Sequence, residues 1–313
     1  MATTARIAAD PRYRESEDRL WDSVGLSPAE LIVPLRSSGT RARVQEVGTG
    51  PAVLFIHGGP NSGSTWAPLL PYLEGFRCLL LDRPGTGLSE PIAWRSATQV
   101  AEFADGLVAD VLDGLGLERA HVVASSFGGY CALRSAATSP ERFDHMVQMA
   151  CPALLPGQIL PPFMKAIMFP GLRKIIAALP PTQRSNESIL RQIGHGKSLD
   201  AGILPPAHSQ WYEALQRYTR TMRNDFDLIR LAGRALEDPR VVLGDQLLGT
   251  VDTPTHFIWG ADDTFGGPSV AEHTAAVMPH ASLEVIEDFG HLPWLDDPAL
   301  VGAATAAFLA HHA

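Results

Sequence analysis

The sequence predicts an α/β fold: a mostly parallel central sheet flanked by helices and interrupted once by a helical insertion. Three observations lead there. Short, continuous apolar runs end in glycine or turn residues, the pattern of strands buried on both faces. Segments of helical periodicity stand between them, and such alternation builds a parallel sheet covered on both sides. The alternation stops over residues 153–245, where no run reads as a buried parallel strand.

Taken in order, residues 1–28 read as helical and peripheral, with Leu20, Trp21 and Val24 on one apolar side. Residues 30–35 and 41–47 read as an antiparallel hairpin turning at Ser38 and Gly39. Residues 51–57, 78–82, 121–124, 146–150, 255–259 and 283–286 are the buried-strand candidates. The clearest helix spans 97–115. Val100, Phe103, Ala104, Leu107, Val108, Val111, Leu112 and Leu115 recur every three or four residues, and Gly116 stops it. Pro-Pro pairs at Pro161, Pro180 and Pro205 punctuate the insertion and leave room for helices between them. The expected division is a core of residues 1–152 and 246–313 and a helical cap or lid of residues 153–245.

Composition narrows the function. The 313 residues are 45% hydrophobic and 19% charged, ordinary for a globular chain, with a net charge of −9. That balance lacks the basic footprint of a nucleic-acid binder and is repelled by anionic membranes. The expected partners are small molecules, a substrate among them, or other proteins. The first residues carry no apolar h-region, and no apolar run is long enough to span a bilayer. Cys78, Cys131 and Cys151 are odd in number, lie in or beside apolar segments and show no metal-ligand spacing. A reduced, cytoplasmic compartment without a metal site is the expectation.

The strongest chemical signal is Val122-Val123-Ala124-Ser125-Ser126-Phe127-Gly128-Gly129. An apolar strand runs into small-x-Ser-x-Gly and then a helix, the pattern of a nucleophile elbow that holds a serine in a strained turn. Ser126 is flanked two residues away by Ala124 and Gly128. Ser125 would be flanked by Val123 and Phe127, both too large for the turn, so sterics select Ser126. A second signal, Phe55-Ile56-His57-Gly58-Gly59-Pro60, is a glycine turn directly after a buried strand.

With these two motifs the chain resembles the α/β-hydrolase superfamily. The resemblance covers residues 30–152 and 246–313, and the insertion only by its position. It implies backbone oxyanion donors at Gly59 and Phe127. Pro60 has no N–H to give, and His57 is expected to brace its loop. Asp82 and the turn Arg83-Pro84-Gly85-Thr86-Gly87 resemble a structural strand-end loop. In similar proteins the catalytic acid stands three residues after the glycine that ends its strand, here Asp263 after Gly260, with Asp262 as its neighbouring rival. The general base follows the last strand in a Gly-His pair, here His291, 28 residues after Asp263. The chain holds 11 histidines; His195 and His208 read as surface or lid residues, and His311 and His312 as terminal.

The implied machinery is therefore Ser126, Asp263 and His291, with no metal or organic cofactor. An elbow serine does not fit the alkyl-ester chemistry of haloalkane dehalogenases or epoxide hydrolases, which place an aspartate there. The His-Gly-Gly-Pro loop is similar to that of proline iminopeptidases, but their elbow and second loop are absent. The aromatic and methionine residues of the insertion (among them Phe163, Met164, Met168, Phe169, Trp211, Tyr212, Tyr218, Met222 and Phe226) suit an apolar pocket under an adaptable lid. The expected reaction is hydrolysis of a carboxylic ester or lactone with a small, largely apolar body. C–C bond hydrolysis, amide hydrolysis and perhydrolysis use the same triad. Ligand binding without turnover and cofactor-free oxygenation use the same fold.

Overall fold

The computed structural model describes residues 1–5, 7–169, 171–172, 175–176 and 180–310; His311 and His312 lie outside the described residues. The strands are β1 (Thr3–Thr4), β2 (Ala29–Leu35), β3 (Thr40–Val47), β4 (Ala52–Ile56), β5 (Arg77–Leu81), β6 (Ala120–Ser125), β7 (Phe143–Met149), β8 (Thr255–Gly260) and β9 (Ala281–Ile286). They form one sheet in the order β1-β2-β3-β5-β4-β6-β7-β8-β9. The first three run antiparallel, as does the β3–β5 pairing, and the rest are parallel.

The continuous apolar runs reflect two buried faces. In β4, Leu54 and Ile56 point into one core and Val53 and Phe55 into the other. Helix α2 (Ala97–Leu115) covers the first face, capped by the Ser96 side chain and stopped at left-handed Gly116, φ 73°. Its Val100, Leu107, Val108, Val111 and Leu112 are fully buried, each stabilising the fold by roughly 1.5–3 kcal/mol. Beside it lies α3 (Phe127–Thr138). A ten-residue 3₁₀ segment, Gly63–Tyr72, lies on the second face, where the apolar pattern predicts no element; Pro68 and Pro71 punctuate it and Trp66 packs against Trp294.

The N-terminal helix α1 (Pro11–Ser23) is not peripheral. Tyr13, Glu17, Leu20 and Trp21 are buried, and the helix packs on the insertion. Glu17 is paired with Arg43 at 2.8 Å and accepts from the Tyr13 hydroxyl at 2.8 Å. A charged residue on the inward side breaks the apolar stripe, and its partner comes from β3, so sequence periodicity alone misplaces this helix.

Residues 153–245 contain no strand among the described residues. Their helices include α4 (Pro162–Met168), α5 (Gln183–Gln192), α6 (Gly196–Asp200), α7 (Pro206–Tyr218) and α8 (Thr221–Ala232). Among the described residues no helix is long and apolar enough to cross a membrane.

Candidate active site

Ser126 sits between β6 and α3 at φ 52° and ψ −119°, a conformation that costs a non-glycine residue about 1–3 kcal/mol. The packing explains how it is held. A Cβ on Gly128 would lie 2.0 Å from the Ile56 carbonyl oxygen, so only glycine lets the helix start this close to β4. A Cβ on Gly58 would lie 2.7 Å from that of Ser126, so the glycine turn rests directly on the serine. Ala124 fits, fully buried, and the elbow keeps its shape without a glycine there. Ser126 lines a cavity; Ser125 is buried, with its hydroxyl unpartnered among the described residues.

Asp263 and His291 follow β8 and β9 at the same end of the sheet, the edge where open α/β sheets bind ligands. The His291 Nδ1–H donates to Asp263 Oδ2 at 2.9 Å, leaving Nε2 free to accept. Asp263 also accepts from the backbone N–H groups of Cys151 and Phe265, each at 2.9 Å. Asp262 faces Lys197 instead, at 3.2 Å.

The Gly58 carbonyl accepts from His57 Nδ1 at 2.6 Å and from Arg83 Nη2 at 3.0 Å. In a planar trans peptide the N–H points away from its carbonyl, so anchoring this oxygen aims the Gly59 N–H the opposite way. Phe127 opens α3, and the first N–H groups of a helix have no intrahelical acceptor. Gly59 and Phe127 both line the cavity with Ser126 and His291. The Gly59–Pro60 bond is cis. His57 is fully buried and turns its Nε2 to the Arg83 N–H and the Thr86 hydroxyl. Asp82 accepts from the N–H groups of Gly63 at 2.8 Å and Leu88 at 2.9 Å, a loop brace.

A family model described as alpha/beta hydrolase fold matches residues 51–298. The chain belongs to this family. It is a hydrolase of the α/β-hydrolase fold. It is 28% identical over 277 residues to a 2-hydroxy-6-oxononadienedioate/2-hydroxy-6-oxononatrienedioate hydrolase of Burkholderia vietnamiensis, covering 85% of this chain and 90% of that one. A 2-hydroxy-6-oxo-6-phenylhexa-2,4-dienoate hydrolase of Comamonas testosteroni is 29% identical over 227 residues, 70% of this chain and 74% of the other. Among solved structures, the carboxylesterase CesB of Bacillus subtilis matches with a TM-score of 0.73 at 22% identity, covering 96% of this chain and 98% of that one. A meta-cleavage product hydrolase of Pseudomonas fluorescens matches with a TM-score of 0.66 at 20% identity, over 90% and 97%. At such identities the structural matches speak for the fold alone.

In this α/β-hydrolase the insertion reaches into the site in two places that the sequence does not mark. Asp225 of α8 is buried and accepts from Arg83 Nη2 at 2.9 Å, while Arg83 Nε holds the His57 carbonyl at 2.9 Å and its guanidinium stacks over the Phe127 ring. Burial raises the Asp225 carboxyl pKa against the pull of Arg83. The second place is the segment before α6. The N–H groups of Gly290, His291 and Leu292 donate in turn to Asp296 Oδ2, the Ile193 carbonyl and His195 Nε2, at 2.8, 2.9 and 3.0 Å. His195 Nδ1–H in turn donates to Asp296 Oδ1 at 2.8 Å. A Cβ on Gly194 would meet the Asp262 carbonyl oxygen at 2.2 Å, so this strip of chain fits between the turns that carry Asp263 and His291. The only forewarning in the sequence is the pair of glycines, 194 and 290.

His195 and His208 are therefore buried, not surface residues. A histidine side chain is apolar enough to sit under a helix once its nitrogens are matched or neutral. Of the aromatic and methionine residues singled out, Phe163, Met164, Tyr212, Met222 and Phe226 line the cavity; Trp211 packs into the second core and Phe169 is exposed.

Buried neutral histidines make stability depend on pH. Burial lowers the His208 pKa from 6.5 to about 4, with His195 a lesser cause. Burial first, and Arg83 second, hold His57 well below its usual range. Between the folded and unfolded pKa values the unfolded chain binds more protons, so the stability these groups contribute is complete above about pH 6.5 and lost as pH falls. His208 alone is expected to remove about 3 kcal/mol between pH 7 and pH 4. Urea unfolding across that range checks this. In His208→Gln the acid slope should be shallower; an unchanged slope would show that His208 does not titrate with unfolding.

Proposed function

We propose that this hydrolase cleaves a carboxylic ester or lactone with a small, largely apolar body through an acyl-enzyme on Ser126. One observation supports an ester over a carboxylate-bearing diketone. Among the described residues, the cavity that holds Ser126 and His291 is lined by no lysine or arginine; its charged side chains are Asp225 and Glu187. The curated relatives are named for dienoate and dienedioate substrates, which carry carboxylates. Burying a carboxylate without a cation, beside another carboxylate, is costly.

In this reading His291 takes the Ser126 proton as the hydroxyl attacks the carbonyl carbon, and Asp263 orients the imidazole and stabilises its charged form. The N–H groups of Gly59 and Phe127 receive the developing oxyanion, each such donor contributing about 3–4 kcal/mol to the transition state. His291 protonates the departing alcohol and then activates the water that frees the acid. Residues 153–245 act as the lid over a catalytic core of residues 1–152 and 246–313, in the cytoplasm, where three unpaired cysteines are at home.

Matched chromogenic esters test the reading. The kcat/KM for p-nitrophenyl valerate should exceed that for the p-nitrophenyl monoester of succinate by about 100-fold, the cost of an unpaired buried charge. Equal rates, or much faster cleavage of a 2-hydroxy-6-oxodienoate, would replace the ester by the C–C substrate.

A further inference from the structure

The cavity has two unlike walls. Helices α4 and α8 contribute apolar side chains, including Phe163, Ile167, Leu228 and Ile229. Helices α5 and α7, packed against each other, contribute Ile189 and Leu190 but also the polar Asn186, Glu187, His208 and Ser209. Two of these are nine-tenths buried or more, Asn186 and His208, each 5% exposed. Neither the amide nitrogen nor the amide oxygen of Asn186 has a hydrogen-bond partner among the described residues, and neither has Nε2 of His208. The side chains that brace the turns around the site, His57, His195, Arg83 and Asp225, all have partners. Unmatched groups on a cavity wall are an invitation to a ligand, because buried polar groups are almost always paired.

The chemistry of the wall limits what pairs with it. His208 is held neutral by burial. No lysine or arginine lines the cavity among the described residues, and Arg83 beside it is already paired with Asp225, so those residues offer an anionic group no free counter-charge. Asn186 offers both an acceptor and donors, and a neutral imidazole nitrogen offers one or the other. A hydroxyl, which donates and accepts, satisfies both.

We propose that Asn186 and His208 form a polar subsite on the insertion side of the cavity that takes a hydroxyl-bearing part of the substrate, so that the preferred ester carries one or more free hydroxyls beside its apolar chain. This rests on the ester reading above. An ester lacking the hydroxyl leaves both side chains unpaired, the kind of mismatch by which polar sites discriminate.

The test compares 2,3-dihydroxypropyl butyrate with propyl butyrate. It also measures binding of the non-hydrolysable 3-butoxypropane-1,2-diol to Ser126→Ala by calorimetry. The wild type is expected to favour the diol ester by about tenfold or more in kcat/KM. Asn186→Leu and Asn186→Ala should each collapse that ratio and weaken the ether diol about tenfold when combined with Ser126→Ala. The ratio is its own control, since a misfolded variant loses both esters together. A ratio unchanged by either substitution, or no binding of the ether diol to Ser126→Ala, overturns the subsite. Diol binding that depends on Asn186, with neither ester turned over, keeps the subsite and defeats the ester reading instead.

Discussion

Ser126→Ala is expected to lower kcat by about 10⁶-fold and to abolish labelling by a fluorophosphonate, since removing the nucleophile of a serine triad costs about as much as removing the whole triad. The cavity-lining position of Ser126, its φ of 52° and the glycine turn resting on its Cβ are the observations behind this expectation. Ser125→Ala is the control. Its hydroxyl is buried, faces no partner among the described residues and does not line the cavity. Labelling that survives Ser126→Ala but fails in Ser125→Ala would reverse the assignment. Failure of both wild type and variants to label would remove the acyl-enzyme altogether.

Asp225→Leu is expected to destabilise the fold by about 3–5 kcal/mol, because it leaves the Arg83 guanidinium buried without its counter-charge. The same change should lower kcat. Arg83 donates to the carbonyls of His57 and Gly58, and through the second of these it aims the Gly59 N–H. A guanidinium drawn out of place lets that peptide rotate. The double variant Arg83→Met/Asp225→Leu separates the two effects. Removing both charges should restore most of the stability, as replacement of buried ion pairs by apolar groups often does. It should leave kcat low, because the Gly58 carbonyl still lacks its arginine donor. Urea unfolding and single-substrate kinetics on all three variants check this. Additive losses of stability would show that the two residues do not act as a pair, and a double variant with full kcat would remove Arg83 from oxyanion alignment.

Much of the site is legible in the amino-acid sequence because each part of it is local. The elbow is a run of residues whose sizes alone select Ser126 over Ser125. The acid and base turns each follow a strand, and the chain order of Ser126, Asp263 and His291 matches the resemblance. The fold brings Asp263 to His291 and turns Asp262 toward Lys197. The helix at Ala97–Leu115 is equally legible, since its stripe, its Ser96 cap and its Gly116 stop all lie within one stretch.

The features that escape the sequence share one property: their partners are far apart along the chain. Periodicity places α1 at the periphery, but its Glu17 is buried against Arg43 of β3 and the helix is packed inside. Nothing in the sequence marks Asp225, whose partner Arg83 lies 142 residues away. His195 reads as a surface or lid residue, yet its ring spans from Asp296 to the Leu292 N–H, and His195, Asp296 and the Ile193 carbonyl each hold one of three consecutive N–H groups around His291.

Sequence alone settled the α/β fold, because burial on two faces and helical periodicity are written in consecutive residues. It also nominated the triad, because strand-end turns need particular residue sizes at short spacing. Only tertiary packing decided how the insertion meets that triad, which walls of the cavity are polar and that no lysine or arginine lines it among the described residues. Those features depend on side chains from separate helices meeting in space, and no local pattern encodes which of them will face one another.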